Sequence, residues 1–136
     1  METKPYKEIT KTEKEKFIKA QQGELDAVIL YLKLAETMRE IKNKEIFLKI
    51  AADEGKHAGI LKKYTGENLK PKNFKAFIVV SIYKIFGLKF TIKMLAEGEF
   101  KATREYYSLV EKFPNIQEIL KDEELHGKLI KDMINM

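Results

Sequence analysis

Two apolar stripes at helical spacing each carry an unexpected carboxylate. Glu24 shares its face with Ala27, Val28 and Tyr31, and Glu99 shares its own with Leu95, Ala102 and Tyr106. Helix formers dominate between clear breaks, and the punctuation predicts four long helices and a connector. The first runs from about 12 to 41, opened by Thr12 and Glu15 at capping-box spacing. The second runs from Asn43 to just before Gly66, and a short loop makes the two antiparallel neighbours. After "TGENLKPKN" an apolar connector helix is expected over 74–86, then Gly87, then a third helix over 89–112 that Pro114 forbids from continuing. Asn115 and Glu118 repeat the capping-box spacing and open a fourth helix over 115–135. The expectation is an all-α fold: a four-helix bundle of two helical hairpins joined by a long crossover that contains a connector helix, in one domain spanning 1–136.

The two hairpins resemble each other. "GELDAVILYLKLAE" (23–36) aligns with "GEFKATREYYSLVE" (98–111), pairing Glu24 with Glu99 and Tyr31 with Tyr106. "DEGKH" (53–57) then aligns with "DEELH" (122–126), and the two pentapeptides contain both histidines of the chain. A duplication with one shortened loop predicts a pseudo-two-fold axis and a site built twice.

Residues three apart share a helix face, so Glu54 with His57, and Glu123 with His126, can each reach one point in space. An unpaired carboxylate on a core-facing stripe is costly, so Glu24 and Glu99 need positive compensation. One Glu from each of two helices plus Glu-x-x-His from each of the other two is the donor set of dinuclear carboxylate bundles. Four carboxylates and two divalent cations cancel in charge, which makes the burial of both tolerable. Mixed oxygen and imidazole donors suit iron or manganese better than calcium, with zinc an adventitious occupant. Asp53 and Asp122 precede the paired glutamates, and in an antiparallel arrangement Asp53 could orient His126 and Asp122 could orient His57, the alternative being a solvated aspartate at a helix edge. Tyr31 and Tyr106 are candidates for hydrogen bonds to the same carboxylates, or plain core tyrosines.

Composition narrows the field. The chain has no cysteine, which excludes disulfides, thiolate zinc and iron–sulfur centres and leaves His, Asp and Glu as metal donors. The net charge of +5 invites a nucleic-acid reading, but only Arg39 and Arg104 are arginine, and most lysines have glutamates within a helical turn, so no nucleic-acid partner is expected. The apolar run at 74–90 is interrupted by lysines and too short to cross a bilayer, and no presequence is evident, so a cytoplasmic location is expected. The segment 68–96 holds six lysines, no acidic residue and a dense apolar series from Phe74 to Phe86. It is a candidate contact for an anionic membrane surface or a membrane transporter, or for packing against the bundle or a second subunit.

On "GE" in helices one and three and Glu-x-x-His in two and four, the chain resembles the ferritin-like di-iron proteins of the rubrerythrin or erythrin branch. "KKYTGENLKPK", "IFGLKF" and "MLAEGEFKA" resemble more narrowly the rubrerythrin-like domain of vacuolar-iron-transporter-type proteins. The resemblance implies two iron ions held by Glu24, Glu54, His57, Glu99, Glu123 and His126, a homodimer, and either peroxidase or ferroxidase chemistry or an iron-handling role beside a membrane transporter. Manganese chemistry of the catalase kind is a third possibility for the same donor set. The chain departs from the family at Ala102, where rubrerythrins typically carry a further glutamate; Glu97 could substitute only if the helix were rotated or bulged. It also lacks the cysteines of an electron-donating rubredoxin module, so a peroxidase role implies an external electron-donor protein.

Overall fold

The computed structural model describes residues 8–135, and all regular structure among them is helical. Helix α1 (Lys11–Thr37) starts one residue before the expected point. Thr10, not Thr12, is the cap: its hydroxyl accepts from the Glu13 N–H at 3.1 Å, and the Glu13 carboxylate accepts from the Thr10 N–H at 2.9 Å. The tertiary structure selects this pair because Lys112 donates to Glu13 at 2.7 Å. The lysine and the cap together hold the Glu13 carboxyl down at about 2.

α1 ends at Thr37 and α2 (Ile41–Thr65) begins at Ile41, so the turn comes earlier than the break expected at 41–43 and is longer, with three residues between the helices. Met38 is extended and buried at the end of the core, which closes the hairpin there and puts Asn43, expected at the helix start, inside the first turn of α2. Gly66 terminates α2 in the left-handed conformation (φ 67°), which glycine adopts without steric cost. The crossover is fastened to α1, with Gln21 and Gln22 donating to the carbonyls of Glu67 and Lys70, and the Lys72 N–H donating to Asp26.

Helix α3 (Phe74–Tyr107) consists of two helical segments meeting at Gly87, whose φ of 86° and ψ of 178° break the helical path. The connector and the third long helix therefore join directly. The third helix stops at Tyr107, five residues before the expected Lys112. Tight turns follow, in which Leu109 N–H donates to Tyr106, Phe113 N–H to Leu109, and Ile116 N–H to Phe113. They tuck Leu109, Phe113 and Ile116 into the core, a gain that continued helix would forgo.

α4 (Ile116–Asp132) is shorter than the expected 115–135. Asn115 makes no side-chain cap bond, so the expected capping box is not formed; Glu118 pairs instead with Lys56 of α2. α1 pairs with α2, α3 pairs with α4, and the hairpins meet through α1 with α3 and α2 with α4. No described helix is long and apolar enough to cross a membrane.

Two apolar clusters divide the interior. One includes Leu30, Leu34, Phe47, Ile50, Ile92 and Ile130. The other surrounds Phe17, which stacks on Tyr64 and meets Phe113 edge-on, both at 4.9 Å between centroids. The polar residues buried between these clusters form the candidate site.

Candidate metal centre

Glu24 and Glu99 are buried on facing helices α1 and α3, while Glu54, His57, Glu123 and His126 are buried on α2 and α4. All six converge. Their donor atoms form two sets, Glu24–Glu54–His57–Glu123 and Glu54–Glu99–Glu123–His126, with the atoms of each set within 4.8 Å of one another. Glu54 and Glu123 belong to both. The imidazole rings stand side by side with centroids 6.0 Å apart.

Each histidine points Nδ1 into the cluster and Nε2 away from it. His57 Nδ1 lies 3.0 Å from Glu123 and 3.5 Å from Glu24, while His57 Nε2 is 2.7 Å from Asp122. His126 Nδ1 lies 3.1 Å from Glu54, and its Nε2 is 2.8 Å from Asp53. Each aspartate thus crosses between α2 and α4 to a histidine of the other motif. Lys49 holds Asp53 from one turn earlier at 2.9 Å. This lysine was missed in the sequence, although its i,i+4 spacing from Asp53 was a usable signal.

The tyrosines cross as well. Tyr31 of α1 donates to Glu99 of α3 at 2.5 Å, and Tyr106 of α3 donates to Glu24 of α1 at 3.0 Å. Burial and the surrounding carboxylates push both phenols well above their usual range, so they act as neutral donors.

Without cations the site is electrostatically frustrated. Burial and the neighbouring Glu24 and Glu123 carboxylates push Glu54 well up, and burial with Glu123 pushes Glu99 to about 7 despite His126 and Tyr31. Burial pulls the histidines down, yet the carboxylates around them outweigh it and hold both at about 10. Burial and Glu24 act to raise Glu123, but its hydrogen bond with Glu99 and the two imidazoles outweigh them and lower it. Glu24 Oε2, Glu54 Oε1 and His126 Nδ1 are buried without a hydrogen-bond partner, and all three belong to the donor sets. Unsatisfied buried acceptors beside an imidazole nitrogen are what a cation would complete, so the residues present fit a metal.

A cavity of about 700 Å³ opens onto this cluster between α1 and α3, walled in part by Gly23, Gly98 and Ala102. Glu97 is exposed, so helix α3 is not rotated in the way that would make Glu97 a substitute for the glutamate absent at Ala102.

A bundle of two hairpins that buries this carboxylate and histidine set between its helices is a ferritin-like metal-site protein. The rubrerythrin family model matches residues 15–135, and the chain belongs to that family. Comparisons with curated proteins and with solved structures give no match.

Proposed function

We propose that the chain holds two metal ions, iron by preference, and couples oxidation of ferrous iron to reduction of peroxide or dioxygen. The observation that carries this reading is the sharing of Glu54 and Glu123 between two donor sets, each completed by its own glutamate and histidine. Glu54 and Glu123 would hold both cations in one cluster, with Glu24 and His57 completing one donor set and Glu99 and His126 the other. A bound ferrous pair supplies the two electrons needed to reduce a peroxide O–O bond.

The side chains have distinct roles in this reading. His57 and His126 would ligate through Nδ1, while Asp122 and Asp53 fix each ring by accepting from Nε2–H. Tyr106 engages Oε1 of Glu24 and leaves Oε2, which has no partner, for a cation. Tyr31 does the corresponding work at Glu99. The cavity between α1 and α3 offers a small oxidant a path to the carboxylates. With Ala102 in the cavity wall and Glu97 exposed, the site works with these six residues and no further glutamate. Electrons for repeated turnover come from an external donor protein, because a chain without cysteine builds no thiolate iron centre.

The test is anaerobic titration with Fe(II), followed by rapid mixing with peroxide. Two irons per chain and stoichiometric oxidation faster than that of free iron are expected. Glu24→Ala should remove one iron, whereas Glu123→Ala should remove both; oxidation no faster than in buffer would end the oxidase reading. Metal analysis of protein purified without added metal separates iron from manganese and from adventitious zinc.

A second reading keeps the same centre but makes it an iron-binding module that delivers metal to a membrane transporter. The exposed apolar and basic face of the connector supports it. Tight iron binding with no peroxide turnover in the presence of a reductant would favour delivery over catalysis.

A further inference from the structure

The connector segment of α3 is apolar on both sides, but only one side has a partner. Ala76 and Val79 are buried against the bundle, with Val80 and Tyr83 packed beside them. Phe74, Phe77, Ile78 and Ile85 recur at helical spacing on the opposite side and are 72%, 71%, 40% and 73% exposed. At the break the rings of Phe86 and Phe90 lie 5.0 Å apart, both more than half exposed, but helical rotation sets Phe86 half a turn from Phe77, outside this row. A row of this size is far from the scattered single apolar residues normal on a protein surface.

Charge identifies the occupant. Helical rotation places Lys75 and Lys84, both exposed, on opposite flanks of the apolar row. Residues 68–96 contain six lysines and no acidic residue. A second copy presenting the same face would set lysine against lysine. An anionic lipid surface would accept the aromatic side chains at the acyl boundary while the lysine stems extend to headgroup phosphates.

We propose that the outer face of residues 74–85 docks in the plane of an anionic membrane surface, with Phe74, Phe77 and Ile85 inserted and Lys75 and Lys84 on headgroup phosphates. The docking is peripheral, since no described helix can cross the bilayer. It does not depend on occupation of the metal centre.

Flotation of the full chain with vesicles tests it. The protein should float with phosphatidylcholine vesicles containing phosphatidylglycerol at low salt, and at least tenfold less with phosphatidylcholine alone. Phe77→Ser with Ile85→Ser should abolish binding at unchanged helical content. Lys75→Gln and Lys84→Gln, which leave the apolar row intact, should each weaken it roughly fivefold. The chain has no tryptophan, so Phe77→Trp provides a single reporter whose emission should shift to the blue on anionic vesicles. No flotation at low salt, an unshifted reporter on bound protein, or unchanged binding by the double serine variant would each overturn the proposal. So would a solution dimer that the double serine variant dissociates, which would assign the face to a second copy.

Discussion

Tyr31 reaches across the bundle to Glu99, not along its own helix to Glu24, and Tyr106 returns the exchange. The duplicated hairpins are thereby tied by reciprocal hydrogen bonds at the carboxylates. In the metal-free protein, Tyr31→Phe leaves a Glu99 oxygen buried without its donor. A loss of about 1–3 kcal/mol is expected by urea denaturation. Added metal should recover part of it, because the cation then engages the carboxylate.

The aspartates make a separable contribution. Asp122→Asn and Asp53→Asn preserve shape but remove the negative charge that each histidine meets at Nε2. Affinity for divalent metal should fall roughly 10- to 100-fold in each, with the fold unchanged, as read by calorimetric titration. An unchanged affinity would mean that packing alone orients the imidazoles.

Protons and metal compete for the same atoms. His57 and His126, both near 10, and Glu99, near 7, are raised in the metal-free fold. A raised group stabilises fully below its unfolded pKa and loses that stabilisation as pH rises through the folded value. The histidine contribution is therefore complete below about 6.5 and lost towards 10, and that of Glu99 is complete below 4.5 and lost towards 7. The metal-free protein should become less stable from neutral to alkaline pH while its metal affinity rises. Metal binding at neutral pH should release protons, including one from each imidazole, measurable by calorimetry in buffers of differing ionisation enthalpy.

Two helical glycines have opposite consequences. A Cβ at Gly127 would come within 2.8 Å of the Phe100 ring, so Gly127→Ala must displace an aromatic side chain packed beside the metal-site helix. A loss of about 1–3 kcal/mol is expected. At Gly55, inside the first pentapeptide, the nearest atom is Val28 Cγ2 at 3.8 Å, an ordinary contact. Gly55→Ala should stabilise by about 0.5–1 kcal/mol through helix propensity. Thermal denaturation of the two variants checks both signs.

What the sequence determined by itself was whatever depends on spacing along one helix. Glu-x-x-His places both donors on one face wherever the helix goes, absence of cysteine restricts the donors to oxygen and imidazole, and the aligned hairpins announce a site built twice. Gly66 and Gly87 also mark breaks through local backbone preference. Only the tertiary structure decided the rest. Thr10 outcompetes Thr12 because Lys112, distant in sequence, holds Glu13, and Glu118 forgoes its cap because Lys56 stands opposite. Helices α1 and α3 stop early because Met38, Leu109 and Phe113 find burial in the turns beyond them. Which tyrosine meets which carboxylate, and that Glu54 and Glu123 belong to both donor sets, depends on how the hairpins face each other, and no spacing within either helix contains that information.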